Sequence, residues 1–559
     1  MIGRLVLSDR NIYKIKSDNK HISARKCFIL SDIHNDILIK TSKDFNPKDE
    51  YIKINNESNT ILDGLGNVGD EQSDIDIYYH LHTLGWMSKS KYNKLWDKID
   101  MSFDLINYMS EKLLNNESEF ITRIDYSNEV ITIDPFGSID LDDGFSFFLD
   151  DNYYYLDIHI ADPMSLFDPN NPAWIEILNE LGTRLHTCYI GTNPTHLLPE
   201  KIVKQVSLLE DKSLFNTRRA ISFCFKISKF SNDIKFNLKF SNLFNIKNYT
   251  YEDYDNKINL DINLKHNLVN LSNKLIQIVN MNIEPIIIDT NVDISHKMIE
   301  IFMILTNWYG GNYLVNNNWK NTIIRVQEPT NLWNHKDNSD IFNITNVPIY
   351  ARPMLSHSAN YIWNNNSKII KESDKIIESD KKNFHYSLGI YNYAHMSSPM
   401  RRFIDMINHL GLYQFNLDNY LDNQNIINNI RNINKINNII KNHKKISNAY
   451  DLITWIKNSS IYDKNCVGNN NNCNYNKKNK FKACLFDWEI KTKQENLNKI
   501  NCLLVLNQPE NKFTKIVNVE LPQIELTKEL KKYMEFDVEL YYNSNNFKSC
   551  KFPFSIKII

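Results

Sequence analysis

The segment VITIDPFGSIDLDDGFSFFLD, residues 130–150, constrains this chain more than any other. A β-rich run delivers Asp134, a Pro/Gly/Ser turn follows, and Asp140, Asp142 and Asp143 arrive within nine residues of it. Four carboxylates therefore converge where a strand breaks. Crowding like charges is costly unless a cation neutralises them, and hard oxygen donors without imidazole or thiolate suit Mg²⁺ or Mn²⁺. Phosphodiester hydrolysis by two metal ions needs a site of this type. The competing readings are a solvated Asp-rich turn and a calcium loop. The alternating order of an EF-hand is absent, because Asp142 and Asp143 are adjacent.

A second stretch, YAHMSSPMRRFIDMINH at 393–409, places a Ser-Ser-Pro turn before Arg401 and Arg402 and then an amphipathic run. Pro399 suits a helix start, which predicts both arginines in the first turn of that helix. There they oppose the helix dipole and call for a counter-anion, either a phosphate or an acidic neighbour such as Asp405.

The organisation is that of several domains, since single cores stop growing at about 250–300 residues and this chain has 559. Short apolar runs alternate with turn residues over 1–78, as in an OB- or cold-shock-like β module. Helical spacing over 79–120, with Leu95, Ile99, Phe103 and Ile106 on one face, predicts a connector. Strands mix with long helices over 121–457, the pattern of a large α+β catalytic domain. An Asn-rich linker is expected over 458–480, and short strands over 481–559 read as a final small barrel.

A formal net charge of -1 means that any nucleic-acid surface is local. Candidate backbone contacts are Arg218, Arg219, Lys441, Lys444 and Lys445, although surface charges are commonly only solvated. The eight cysteines form no C-x-x-C pair, which argues against a zinc ribbon and a disulfide framework; Cys466 and Cys473 read as free thiols. The N-terminus has no apolar leader and no apolar stretch is long enough to span a bilayer, so a cytoplasmic protein without membrane contact is expected.

Taken together, TIDPFGSIDLDDG, HIADP at 159–163, GTRLHTCYIGTNPTHLLPEKIVKQVSLL, KNYTYEDY, MIEIFMILTN and HYSLGIYNYAHMSSPMRRFIDMINH resemble, in order, the signatures of the ribonuclease II/ribonuclease R family, whose catalytic domain is called RNB. The resemblance covers 121–455. It implies a multidomain α+β fold with an RNB-like catalytic domain between small OB/cold-shock-like and S1-like β-barrels. It also implies a metal-dependent 3′-to-5′ exoribonuclease that binds single-stranded RNA and releases nucleoside 5′-monophosphates. Carried over residue by residue, Asp134, Asp140, Asp142 and Asp143 take the metal positions, with Mg²⁺ the expected cofactor and Mn²⁺ an alternative. Asp142 and Arg401 take the catalytic ones. Tyr189 falls on the tyrosine that stacks on a 3′-terminal base, Tyr251 on another tyrosine near the site, Glu300 and Asn307 on a helix beside it, and Arg401 on the phosphate-gripping arginine. Without the resemblance, Tyr189 and Tyr251 read as half-buried tyrosines, His159 as a core histidine and Glu300 as a helix-face charge.

Three departures stand out. Only about 120 residues precede the catalytic segment, where the family usually has two cold-shock domains. The family's second stacking aromatic lacks a counterpart before MIEIFMILTN, where the chain reads IEPIIID. Cys484 stands where ribonuclease II has a glutamate that contacts the terminal nucleotide. The rival expectation is a catalytically silent RNA-binding scaffold on the same fold.

Overall fold

The computed structural model describes residues 86–287 apart from 114–121, 190–193 and 211–216, then 294–328 without 320, 359–364, 383–415 and 432–443 without 442, plus strands within 2–65 and 480–558. The Asn-rich stretch 458–479, with Cys466 and Cys473, lies outside the described residues, as do Lys444 and Lys445.

Near the N-terminus, β1 (Ile2–Leu5), β2 (Tyr13–Ser17), β3 (Lys20–Ile29), β4 (Asp32–Lys40), β5 (Tyr51–Asn55) and β6 (Thr60–Gly64) form one sheet. Its order is β1-β5-β6-β4-β3-β2, and β1 also pairs β3, which brings the pairings round in a circuit. Leu5, Cys27, Ile39, Ile52 and Ile54 fill its interior.

The connecting residues fold as α1 (Lys89–Trp96) and α2 (Leu105–Leu113). Leu95, Ile99 and Ile106 are buried and Phe103 packs against the same core, as the helical spacing requires. Trp96 meets Trp174 edge to face at 5.2 Å, and the Tyr92 hydroxyl donates to Leu197 O, so the connector is docked on the catalytic core rather than hinged from it.

That core is built on a closed five-stranded barrel of β7 (Ile124–Asp134), β8 (Asp143–Leu149), β9 (Tyr153–Ala161), β10 (Arg218–Ser228) and β11 (Ile234–Thr250) in the order β10-β11-β7-β8-β9. Only β7 and β11 run parallel; their register sets Asp134 beside Thr250. In the antiparallel β8–β9 pair Asp143 lies opposite Ile160. Both carboxylates therefore emerge at the same end of the barrel. Inside it His159 is buried between Ser222 Oγ at 2.7 Å and Ser146 Oγ at 3.3 Å, which makes it a hydrogen-bonded core histidine. Burial depresses its basicity to about 3.

Helices α3 (Ala173–Arg184), α4 (Glu200–Val206), α5 (Tyr251–Leu260), α6 (Ile262–Val279), α7 (Ile294–Asn316) and α8 (Phe403–Leu412) surround the barrel. The longest, α7, is buried on nearly every face, and its Gly310-Gly311 pair explains how. A Cβ on Gly311 would stand 1.9 Å from Asn392 O and one on Gly310 would stand 2.2 Å from Met396 Sδ. The glycines let the 392–396 backbone lie directly on the helix. The expected helix start at Pro399 is corrected: α8 begins at Phe403 with Arg402 as its N-cap residue, and 398–401 form a turn before it.

Toward the C-terminus, strands Lys480–Lys491, Lys499–Gln508, Phe513–Pro522, Glu535–Tyr542 and Phe554–Ile558 make an antiparallel sheet. Cys484 is buried in it, which pushes its thiol up to about 12. No helix among the described residues is long and apolar enough to cross a membrane.

Candidate active site

Strand β7 ends at Asp134, and Pro135–Ser138 form a turn closed by Ser138 N–H to Pro135 O, with Gly137 at φ +80°. The chain is then re-anchored: Leu141 N–H donates to Ser207 Oγ, Leu208 N–H to Leu141 O and Ala161 N–H to Asp142 O. These bonds fix the backbone on which Asp140, Asp142 and Asp143 are strung. Asp142 is the buried member, 2% exposed. Its Oδ1 accepts the Met400 N–H at 2.8 Å and its Oδ2 lies 3.2 Å from Arg401 Nε. Burial raises the Asp142 carboxyl well above its ordinary value, against the opposing pull of Arg401 and the Met400 N–H.

Asp134 and Asp143 show what crowding does. Burial, then the charges of Asp143 and Asp140, push Asp134 up to about 8, and burial pushes Asp143 up to about 6 despite Arg401 and Arg402. Asp140 accepts the Tyr189 hydroxyl at 3.1 Å, with His196 Nδ1 3.8 Å away. Three or four acidic oxygens of this kind suit a hard divalent cation, whose charge would reverse these shifts. In their present rotamers, however, no three acidic, histidine or cysteine side chains among the described residues close on one point as a coordination shell does.

The arginine loop is held from below. Asn307 on α7 accepts Met396 N–H at 2.7 Å and Ser397 N–H at 3.1 Å through Oδ1, and donates from Nδ2 to Tyr393 Oη and Ser397 Oγ. Asn408 donates to His395 O, and His409 Nε2 to Met396 O. Asp405 accepts Ser398 N–H and Arg402 Nη2. The two expectations for the arginines thus divide. Arg402 takes the acidic neighbour, whereas Arg401 reaches Asp142 and Ser398 Oγ and keeps 46% of its side chain exposed. Thr187 N–H donates to Arg401 O and Phe403 N–H to Leu185 O, so the segment that carries Tyr189 is zipped to the arginine segment.

The other sequence-predicted residues fare differently. Tyr189 stands 49% exposed. Tyr251, at the start of α5, stacks on His296 with centroids 3.5 Å apart and planes 12° apart. Burial and the charges of Asp143 and Asp134 raise its phenol to about 12, which places it near the carboxylates. Glu300 is an exposed helix-face charge, 3.3 Å from Lys297. Arg218 and Arg219 are structural: Arg218 is buried and donates to Leu209 O, Lys204 O and Gln205 O, and Arg219 donates to Phe103 O and Ser102 O and pairs with Asp104. Lys441 is an exposed lysine. Sequence reasoning missed His196, which stands alone in THLLP with no partner at a telling spacing.

The RNB domain model matches residues 123–418, more than half of the chain, and the chain belongs to that family. Its multidomain α+β architecture is the one expected. Ribonuclease R of Mycoplasmopsis pulmonis is 25% identical over 410 residues, 65% of this chain and 55% of that protein. Ribonuclease R of Chlamydia pneumoniae is 24% identical over 317 residues, 50% of this chain and 46% of that protein. The chain spans about half the length of the curated relatives it matches. Among solved structures, the apo form of Mycoplasma genitalium RNase R is similar at a TM-score of 0.61 and 15% identity, covering 100% of this chain and 89% of that one. Yeast Ssd1, described as a pseudonuclease, is similar at 0.56 and 13%, covering 94% and 66%. These structural likenesses show the fold.

Proposed function

We propose that this chain is a 3′-to-5′ exoribonuclease that hydrolyses single-stranded RNA to nucleoside 5′-monophosphates with Mg²⁺, or alternatively Mn²⁺, as cofactor. The observation that carries the reading is Asp142, buried and held by the Met400 N–H and Arg401 in the midst of three further carboxylates. Its support is chemical, since all-oxygen donors match hard cations.

In this reading Asp134, Asp140 and Asp143 hold the metal, and Asp142 orients the attacking water. The bound cation supplies Lewis acidity toward the scissile phosphate and its leaving oxygen. Arg401, anchored at Ser398 and Asp142 with its remaining surface open, balances charge on the phosphate oxygens. Tyr189 stacks on the 3′-terminal base, a contact that tolerates any sequence.

The second reading, an RNA-binding scaffold without turnover, draws on the fold shared with the Ssd1 pseudonuclease and on the open carboxylate arrangement. One assay separates the two. Single-stranded RNA labelled at its 5′ end, with matched DNA and a chelator control, is followed with time in Mg²⁺ or Mn²⁺. Stepwise shortening of RNA with release of 5′-monophosphates is expected, while DNA persists. Internal cuts, cyclic phosphates or equal attack on DNA would overturn the nuclease reading, and tight binding without shortening would establish the scaffold.

A further inference from the structure

Phe136 is 94% exposed, the most exposed large hydrophobic side chain among the described residues. Lone exposed apolar residues are ordinary on loops; the setting of this one is not. It occupies the second position of the Pro135–Ser138 turn, whose third position, Gly137 at φ +80°, makes it a type II turn. The turn leaves directly from Asp134, the last residue of β7, and returns two residues before Asp140. Both flanks are tied down, by pairing of Asp134 with Thr250 and by the Leu141–Ser207 bond. Phe136 is thus displayed on a short rigid arm rooted between carboxylates of the candidate site. The turn beside it is open as well, since a Cβ added to Gly137 would meet nothing within 4 Å outside its chain neighbours.

The surroundings select what can cover the ring. Phosphates are repelled by the neighbouring carboxylates, while a nucleobase is neutral and flat and loses little by leaving water. The same end of the barrel already presents planar groups. Tyr251 directly follows Thr250, the register partner of Asp134, and is stacked on His296. We propose that Phe136 is a base-stacking platform for the RNA strand bound at the carboxylates, a contact beyond those the family resemblance assigns. The proposal rests on the reading of this site as one that binds RNA, and is independent of whether it cleaves.

The test measures binding of a fluorescent single-stranded oligoribonucleotide with Mg²⁺ in the Asp142→Asn background, where turnover is suppressed, and again in chelator with the parent. Because Phe136 is exposed, Phe136→Ala is expected to match the parent melting curve. It should weaken binding about 5- to 150-fold, the equivalent of losing one base stack of ~1–3 kcal/mol. Phe136→Trp should bind within about threefold of the parent. Phe230, 80% exposed in the β10–β11 turn at the opposite end of the barrel, supplies the control, and Phe230→Ala should bind like the parent. Moving a single abasic nucleotide along the oligonucleotide should find one position at which the parent and Phe136→Ala bind equally. Unchanged affinity in Phe136→Ala, or an equal loss in Phe230→Ala, would overturn the proposal while leaving RNA binding standing. A parent that binds no RNA would overturn both. A parent that binds RNA here yet leaves it uncut in the Mg²⁺ or Mn²⁺ shortening assay, with Phe136→Ala weakened, would keep the platform and discard the nuclease.

Discussion

Asn307→Leu tests whether the arginine loop is positioned from beneath by one side chain. Asn307 is 2% exposed, and leucine keeps the branching at Cγ and the number of side-chain heavy atoms while being somewhat bulkier, so it leaves no cavity. The change instead orphans the Met396 and Ser397 N–H groups, which the amide oxygen accepts at 2.7 and 3.1 Å. Each buried donor left without a partner costs about 1–3 kcal/mol, so the two together imply a loss on the order of 2–6 kcal/mol. The hydroxyls of Tyr393 and Ser397 can rotate and add less. Asn307→Asp keeps the acceptor and meets four donors that suit a carboxylate, so it should be destabilised by less than the leucine variant. Urea unfolding of the three proteins at one pH measures the difference. Single-turnover shortening of RNA, well below the melting temperature, then asks whether folded Asn307→Leu still presents Met400 and Arg401 to Asp142. Positioning predicts a slower turnover with RNA affinity little changed. An Asn307→Leu protein within about 1 kcal/mol of the parent would refute the reasoning, because the two N–H groups would then have other partners.

Two further outcomes follow from the carboxylates. Asp142→Asn keeps the shape and the acceptor for Met400 N–H but removes the charge facing Arg401, so RNA binding should persist while single-turnover cleavage falls by several orders of magnitude; cleavage within a few-fold of the parent would remove Asp142 from the mechanism. Asp134 and Asp143 have folded values raised to about 8 and about 6 from 3.8, so the native state holds protons that the unfolded chain releases. The stability that these two groups contribute to the metal-free protein should therefore be full below about pH 4 and be lost as pH rises toward 8. Buried neutral histidines such as His159 and His385, held at about 3 and about 4, contribute in the opposite direction, since the unfolded chain protonates them below about pH 6.5. Melting curves of the parent against Asp134→Asn isolate the Asp134 share: without Mg²⁺ the parent should lose stability relative to the variant from pH 5 to 8, Mg²⁺ should flatten that loss, and a parent that gains on the variant over this range would contradict the sign.

The carboxylates were legible because they are contiguous: one strand end, one turn and one strand start carry all four. Spacing likewise exposed the buried face of α1 and α2. The barrel was not legible as a barrel, because its closure depends on the parallel pairing of β7 with β11, segments separated by more than a hundred residues. The division of labour between Arg401 and Arg402 was hidden for a similar reason. Adjacent arginines look equivalent in one dimension, and only the start of α8 at Phe403 sends one to Asp405 and the other to Asp142. Arg218 and Arg219 were misread as phosphate contacts since their partners are mainly backbone carbonyls, which no side-chain pattern reveals. Phe136 was not legible as a surface ring, because exposure is a property of the turn and not of the residue type.

Yeast Ssd1, described as a pseudonuclease, has a similar fold, so the distinction between enzyme and scaffold falls to the site. The electrostatics of the site argue more directly. A surface that only holds RNA gains from cations and aromatic rings and is weakened by carboxylates, which repel the phosphate backbone. Here the carboxylates are partly or wholly buried, and their mutual repulsion and desolvation oppose folding at neutral pH. Around them the chain commits Asn307, Asn408, Asp405 and the glycine pair of α7 to fixing the loop that delivers Met400 and Arg401 to Asp142. Holding RNA alone does not require that rigidity at a point of negative charge. The proposed hydrolysis would use it, because a bound cation would turn the repulsion into affinity and the fixed arginine would face the phosphate without reorganising.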